Sequence, residues 1–155
     1  MSDLRDLYQE VLLDHYRRPR NQAALAEPAF TATGHNPLCG DQVKVTLRVA
    51  DDRVAEIAFQ GSGCAISVAA ASLMSEAVKG KTLAEAEALF RRFQGLVTEA
   101  GAGGAVPADD PLLGKLVIFA GVREFPARVK CATLPWHTLR AALAQGSAPA
   151  PVSTE

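Results

Sequence analysis

Residues 43–49, VKVTLRV, alternate strictly between apolar and polar side chains. This alternation is typical of a half-buried β-strand, because successive side chains of a strand point to opposite faces of the sheet. Asp51-Asp52 then predicts a tight turn. Residues 54–60, VAEIAFQ, predict a second strand that returns along the first. The sequence therefore places an antiparallel β-hairpin at the centre of the fold.

Two cysteines flank this hairpin. Residues 39–41, CGD, come just before the first strand, and residues 61–64, GSGC, close the second. Antiparallel pairing brings the start of one strand beside the end of the other. We therefore expect Cys39, Asp41 and Cys64 to be neighbours at one end of the sheet, although the two cysteines are far apart in sequence.

One helix is predicted before the hairpin and another directly after it. Apolar residues recur with helical spacing over residues 4–12, and we expect Asp3 to cap this first helix and Pro19 to end it. Small, helix-compatible residues over 65–79 predict a second helix that ends at Gly80. Cys64 would then lie at the N-terminal end of that helix.

The second half of the chain predicts further helices. Thr82 and Glu85 form a capping box that opens a third helix. Residues 101–108, GAGGAVPA, predict a flexible linker, and Asp110-Pro111 predicts the start of another helix. The last helix is expected to begin near residues 133–135 and to end at Gly146.

These elements predict one domain and a tail. Residues 1–145 are expected to form a single α+β domain, in which a small antiparallel sheet packs against several helices with a metal site at one end. Residues 146–155 are expected to form a disordered C-terminal tail.

The charge balance bounds the partners and the compartment. Sixteen Lys and Arg face seventeen Asp and Glu, so the chain lacks the basic excess that nucleic-acid or anionic-membrane binding favours. We expect neither partner. The N-terminus lacks the basic start and apolar run of a signal peptide, and no window reaches the roughly 18 apolar residues of a membrane span. We therefore expect a cytoplasmic protein. Its three cysteines, an odd number, do not suit a disulfide framework.

The three cysteines all fall at predicted element boundaries. Cys131 precedes the last predicted helix, so Cys64 and Cys131 are both expected at helix N-termini, which favour the thiolate form. Cysteines buried only for packing should instead fall on apolar stripes. With Asp41, the chain offers three sulfurs and one carboxylate, and this set predicts a metal or thiolate site.

Two metal groups suit this donor set. Zinc takes four ligands tetrahedrally and accepts sulfur and carboxylate oxygen. Iron–sulfur clusters usually take four thiolates, with some substitution tolerated. The residues alone leave both open. Either would leave a net negative charge, and Arg128 and Lys130, close to Cys131, are candidates to offset it around the ligands.

Four segments together resemble the IscU/SufU family of iron–sulfur cluster assembly proteins, also described as NifU N-terminal-like, over roughly residues 3–144. The segments are DHY with PRN at 14–16 and 19–21, NPLCGD at 36–41, GSGCAIS at 61–67 and KCATL at 130–134. IscU-type scaffolds carry a His where this chain has Lys130, and a Leu-Pro-Pro-Val-Lys loop where it has FPARVK at 125–130. The stretch between Cys64 and Cys131 is longer than in IscU-type scaffolds. In this length, and in Trp136-His137 after Cys131, the chain is similar to the SufU branch.

The SufU resemblance implies a zinc-dependent sulfurtransferase with one Zn²⁺ per chain, held by Cys39, Asp41, Cys64 and Cys131. It implies a pyridoxal-phosphate-dependent cysteine desulfurase, SufS-like, as sulfur donor and an iron–sulfur scaffold downstream. In that family a histidine of the desulfurase takes a place on the zinc and frees the first cysteine. Cys39 would then be the catalytic sulfur acceptor, in keeping with its place in a loop between Pro37 and Gly40.

Two other functions remain. An iron–sulfur scaffold of IscU type would assemble a cluster on the same three cysteines, although the His expected before Cys131 is missing. A purely structural zinc module would have a closed site without a nucleophile on a loop.

Overall fold

The computed structural model describes residues 2–23, 25, 30–36, 40–98, 113–124, 126–145 and 152–153. The elements in chain order are α1 (Ser2–Arg17), β1 (Phe30–Asn36), β2 (Asp41–Ala50), β3 (Arg53–Ser62), α2 (Ala65–Val78), α3 (Leu83–Thr98), a 3₁₀ helix η1 (Gly114–Glu124), α4 (Pro126–Gln145) and β4 (Val152–Ser153). The predicted α+β class is confirmed.

The predicted hairpin is the centre of the sheet. The strand order is β3-β2-β1-β4, with β1, β2 and β3 antiparallel. Asp51 and Asp52 both have positive φ, 53° and 63°. A turn with two positive φ values is of type I′, whose twist matches that of a hairpin's strands. The turn predicted from these two residues is therefore confirmed, and it sets the β2–β3 register.

Strand β1 was not predicted from the sequence. Its residues, FTATGHN, include few of the large β-branched and aromatic side chains that mark a strand. The inward positions Ala32 and Gly34 are small because α4 packs closely on this part of the sheet. The strand matters for function because its last residue, Asn36, pairs with Asp41 at the start of β2.

The helices lie against one face of this sheet. Helix α4 packs on β1 and β2, α2 packs on β3, and α1 lies against α2. Apolar side chains that are fully buried fill the space between the layers: Val45, Leu47, Phe59, Met74, Leu89 and Leu139. Trp136 stacks on Phe93, with ring centroids 5.1 Å apart. This core fixes where the N-terminal parts of α2 and α4 meet the end of the sheet.

The N-terminal helices follow the prediction with one correction. Helix α1 begins at Ser2, so Asp3 lies in its first turn and is not its cap. Helix α2 ends before Gly80, as predicted. The capping box is confirmed: Glu85 donates its backbone N–H to Thr82 Oγ1 at 3.1 Å, and the Thr82 N–H is donated to the Glu85 carboxylate at 2.9 Å.

The start of the last helix was predicted wrongly. Helix α4 begins at Pro126 and includes Pro135, which lies within the predicted start at residues 133–135. Proline suits the first turn of a helix, where its missing N–H has no partner to lose. Within a helix, the same ring removes the usual hydrogen bond to the carbonyl of the residue four positions earlier, here Cys131. Cys131 therefore lies inside a helix and not before one.

Some predictions fall on residues outside the described ranges. These are the linker at 101–108 and the helix start at Asp110-Pro111; after them the structure has the 3₁₀ helix η1 where an α-helix was expected. Of the tail at 146–155, only Val152–Ser153 are described, and they pair in parallel with Gly34 and His35 of β1. The domain boundary at residue 145 stays a prediction. Within the described ranges, no helix is both long and apolar enough to cross a membrane.

Candidate metal centre

Three of the four predicted metal ligands meet at one end of the sheet. Asp41 begins β2, Cys64 directly precedes α2, and Cys131 lies in α4. One carboxylate oxygen and the two sulfurs all lie within 4.8 Å of one another. Asp41 and Cys131 are fully buried, and Cys64 is half-buried. The fourth predicted ligand, Cys39, lies outside the described residues.

The carboxylate of Asp41 is held in one orientation. Its Oδ1 accepts the backbone N–H of Cys64 at 2.8 Å. Its Oδ2 lies 3.9 Å from Cys64 Sγ. Because one oxygen is tied to the backbone, the other is the one presented beside the sulfur. The carboxylate is therefore arranged to offer a single oxygen as a ligand.

The glycines of GSGC allow this close approach. A Cβ on Gly63 would lie 2.2 Å from Asp41 Oδ1, and the backbone there has a φ of 144°. A Cβ on Gly61 would lie 2.6 Å from the carbonyl oxygen of Gln42. Real Cβ atoms do not come this close to other heavy atoms, and φ values in this range favour glycine. The end of β3 can therefore lie against the start of β2 only because these positions lack side chains.

Cys64 occupies the predicted position at the N-terminus of α2. It is the N-cap of that helix, and its Sγ accepts the backbone N–H of Ser67 at 3.4 Å. The first N–H groups of a helix have no partner within the helix, and they carry the positive end of its dipole. The sulfur therefore lies where a negative charge is favoured.

Cys131 reaches the site in a different way from the one predicted. The predicted position at a helix N-terminus is wrong, since α4 already begins at Pro126. Its Sγ lies 3.9 Å from the carbonyl oxygen of Ala127 and 3.6 Å from Nδ2 of Asn36. Asn36 is fully buried and was not singled out from the sequence. Its place in the NPLCGD segment was the only signal that could have pointed to it.

The predicted charge-offsetting residues lie on α4. Arg128 is exposed and Lys130 is half-buried. Residues three positions apart on a helix share a face, whereas adjacent residues do not. Arg128 therefore shares a face with Cys131 more closely than Lys130 does. Their role in offsetting the charge of the ligands stays a prediction.

The donor set has the spacing of a tetrahedral metal site. Zinc with bonds of about 2.3 Å to sulfur and about 2.0–2.2 Å to oxygen holds neighbouring ligand atoms roughly 3.4–3.8 Å apart. The 3.9 Å between Asp41 Oδ2 and Cys64 Sγ is close to this, and all three donors lie within 4.8 Å. The residues therefore fit a zinc ion with one further ligand. Two thiolates and a carboxylate also fall within what iron–sulfur clusters accept.

A buried polar cluster fastens α1 to the helix that Cys64 caps. His15 is buried, with Nδ1 2.7 Å from Ser72 Oγ and Nε2 3.6 Å from Glu76 Oε1. The same Ser72 hydroxyl accepts the backbone N–H of Arg20 at 2.9 Å. Burial, and then the Arg20 guanidinium, lower the pKa of His15. These contacts hold α2, and with it Cys64, against the N-terminal helix.

Comparisons with known proteins show the family of this chain. The family model described as NifU-like N terminal domain matches residues 7–132. The chain is 37% identical over 144 residues to the zinc-dependent sulfurtransferase SufU of Bacillus subtilis, covering 93% of this chain and 94% of that protein. It is 39% identical over 143 residues to the iron–sulfur cluster assembly scaffold protein IscU of Streptococcus pyogenes, covering 92% and 86%.

Solved structures show the same fold. The crystal structure of a putative iron–sulfur cluster assembly scaffold protein for the SUF system from Fervidobacterium islandicum is 30% identical, with a TM-score of 0.77 over 86% of this chain and 94% of that one. The crystal structure of a NifU-like protein (N-terminal) from Brucella abortus is 28% identical, with a TM-score of 0.80 over 92% and 95%.

Proposed function

This chain belongs to the family of NifU-like N-terminal domains, and we propose that within iron–sulfur cluster assembly it acts as a zinc-dependent sulfurtransferase. The observation that carries the proposal is the convergence of Asp41, Cys64 and Cys131 within 4.8 Å. The 37% identity to a zinc-dependent sulfurtransferase supports it. One Zn²⁺ per chain would be held by these three residues and Cys39.

Three of the four proposed ligands lie in or directly beside regular elements. Asp41, Cys64 and Cys131 are each anchored by a strand or a helix. Cys39 lies between Asn36 and Gly40, where a short connection joins β1 to β2. Zinc, when bound, would keep the cysteine ligands deprotonated and restrain their nucleophilicity until one is displaced. We therefore propose Cys39 as the ligand that is displaced.

The transfer step then uses Cys39 as the nucleophile. Its thiolate attacks the outer sulfur of a persulfide on a pyridoxal-phosphate-dependent cysteine desulfurase. The S–S bond of that persulfide breaks, and its electron pair leaves with the desulfurase cysteine as a thiolate. Cys39 carries the new persulfide to a downstream iron–sulfur scaffold. We place this exchange in the cytoplasm, with neither nucleic acid nor membrane as a partner.

A second candidate is the scaffold function itself. The 39% identity to an IscU scaffold supports it, as does a donor set that suits a cluster. Against it stands Lys130, where the resemblance leads us to expect a histidine in a scaffold. The scaffold would hold iron and sulfide on the same cysteines.

Metal content and anaerobic absorbance of the protein as purified, without reconstitution, separate these two functions. We expect about one zinc per chain and no visible absorption band, since Zn²⁺ has a filled d shell and therefore no d–d transitions. A brown protein with stoichiometric iron and labile sulfide and little zinc would overturn the sulfurtransferase proposal in favour of the scaffold.

Replacement of Cys39 tests the transfer step. Cys39→Ala and Cys39→Ser should keep the far-ultraviolet circular dichroism of the wild type and lose its stimulation of a cysteine desulfurase. The isosteric serine controls for loss of volume. A purely structural zinc site predicts that the wild type itself gives no stimulation. Full stimulation by Cys39→Ala would show that another group accepts the sulfur.

A further inference from the structure

Asn36 contacts two of the three described residues of the metal centre. It is fully buried at the end of β1 and pairs with Asp41 across the β1–β2 ladder. Its side-chain Nδ2 lies 3.6 Å from Cys131 Sγ, and its backbone carbonyl accepts the N–H of Gly40 at 2.9 Å. We propose that Asn36 is a positioning residue that keeps Cys131 as the retained, unreactive sulfur of the centre. The proposal rests on the proposed function.

The contact to sulfur follows from burial. A carboxamide has two N–H donors, and a buried donor without an acceptor costs free energy. Sulfur is a larger acceptor than oxygen, so an N–H···S contact is longer than an N–H···O bond. The Cys131 sulfur therefore serves as one acceptor for the Asn36 amide. Neither group is exposed, so water does not compete for this contact.

A donated N–H changes how the sulfur reacts. It draws electron density from a thiolate, which then attacks electrophiles more slowly and donates less charge to a metal. An amide does this without adding charge to a site that is already anionic. Cys64 differs because it is only half-buried and its described donor is the backbone N–H of Ser67. Cys131 is therefore the most protected of the sulfurs that the structure describes.

The backbone of Asn36 is also fixed. Its carbonyl accepts the N–H of Gly40 at 2.9 Å. Gly40 has a φ of 72°, a conformation that glycine adopts readily. Asn36 is thus held by its backbone bond to Gly40 and by its pairing with Asp41, and its side chain lies against Cys131.

Two measurements on the metal-loaded full chain test this role without a desulfurase. The first is the sulfur-to-cobalt charge-transfer band of the Co²⁺-substituted protein. The second is the rate at which iodoacetamide modifies each cysteine, mapped by mass spectrometry. The variants are Asn36→Ala, which removes the amide, and Asn36→Ser, which keeps a smaller hydrogen-bond donor. Thr33→Ala, on an exposed position of the same strand, is the matched control.

For Asn36→Ala we expect three changes. The charge-transfer band should move to lower energy and Cys131 should become open to alkylation. Zinc affinity should fall by about 10–100-fold, because Cys131 loses the contact that orients it and this loss outweighs its stronger charge donation. Asn36→Ser should recover part of each change, and Thr33→Ala should match the wild type. If Asn36→Ala does not fold, Asn36→Ser alone should show a smaller shift in the same direction.

Two outcomes would overturn the assignment. An unchanged band and an unchanged Cys131 alkylation rate in folded Asn36→Ala and Asn36→Ser, with only a lower melting temperature, would make Asn36 purely structural. If Asn36→Ala speeds the alkylation of Cys64 and not that of Cys131, Asn36 acts on a different sulfur from the one proposed. The proposed function fails separately, because it would show as a wild type that holds no zinc or that does not stimulate the desulfurase.

Discussion

Cys64 donates its backbone N–H to Oδ1 of Asp41 over 2.8 Å, where the end of β3 lies beside the start of β2. Two predicted ligands are thus joined by a direct hydrogen bond. The bond orients the carboxylate, and it also fixes the residue that caps α2 against the sheet. The stability of this corner and the geometry of the metal centre therefore depend on the same contact.

The Asp41–Cys64 bond predicts different outcomes for two substitutions. Asp41→Ala leaves the Cys64 N–H without its acceptor, at a cost of about 1–3 kcal/mol in the free energy of unfolding. Asp41→Asn keeps an amide oxygen for that N–H and removes a buried charge, so its metal-free form should be more stable than the alanine variant. Both should bind zinc more weakly. Urea unfolding in chelator and zinc competition measure this; equal stabilities of the two variants would contradict it.

A side chain at residue 63 should not fit beside the metal centre. In Gly63→Ala the new Cβ would meet the Asp41 carboxylate, in addition to the strain of a φ of 144°. Gly80→Ala is the matched control, because Gly80 also has a positive φ but has open space around its Cα. We expect Gly63→Ala to lose at least about 2 kcal/mol more than Gly80→Ala in the free energy of unfolding. It should also lose zinc, whereas Gly80→Ala should keep it.

Urea unfolding and metal analysis of both glycine variants check this prediction. Equal losses of stability and equal zinc contents would mean that backbone strain alone, and not the contact with Asp41, requires glycine at residue 63.

Protonation of the buried His15 should reduce the stability of the protein in mild acid. Burial, then Arg20, lower its pKa below the usual value near 6.5, so the unfolded chain takes up this proton at a higher pH than the folded one. Stability from the neutral imidazole is complete above about pH 6.5 and is lost as the pH falls toward the lowered pKa. Glu76 and Asp14 oppose the shift, and Lys115 adds to it.

The test compares the wild type with His15→Gln, which keeps a polar group beside Ser72 without a titrating ring. The unfolding free energy of the wild type should fall more steeply than that of the variant as the pH drops below about 6.5 toward the lowered pKa. Measurement in chelator keeps metal release out of the comparison. His137, whose pKa is also lowered by burial and by Arg140, should leave a residual slope in both. Identical slopes would rule out His15 as a source.

Replacement of the tightly packed Trp136 by phenylalanine should cost little stability. It is fully buried, and among the described residues its Nε1 has no hydrogen-bond partner. Trp136→Phe loses ring volume but removes an unpaired donor, whose burial costs about 1–3 kcal/mol. We expect it to destabilise far less than Phe93→Ala, for which about 3–5 kcal/mol is typical. Thermal unfolding followed by circular dichroism measures both; similar losses would show that Nε1 has a partner.

Much of the metal centre could be predicted because Asp41 and Cys64 lie at the two ends of one hairpin, which is encoded by neighbouring residues. The VKVTLRV and VAEIAFQ strands, with Asp51-Asp52 between them, encode a hairpin by side-chain period and turn chemistry, and a hairpin necessarily brings its two ends together. Asp41 and Cys64 follow from that alone. The N-cap position of Cys64 also follows, since small helix-forming residues begin directly after it.

The prediction for Cys131 was right about its place in the site and wrong about the local structure. Pro135 lies within the predicted start at residues 133–135, and proline is common at helix starts. Pro126 gives the same signal earlier, and the core around Trp136 and Leu139 keeps the chain helical through Pro135. Tertiary packing overrode the local signal, as it often does for helix propensity.

The sequence by itself determined the hairpin, its turn, the helix that Cys64 caps and the nearness of Asp41 to Cys64, because each is set by residues within a few positions of one another. Only the tertiary structure decided that β1 joins the sheet, that α4 lies across β1 and β2, and that Asn36 therefore contacts Cys131. Those placements depend on how side chains from distant segments fill one core, and no local period or turn encodes that fit.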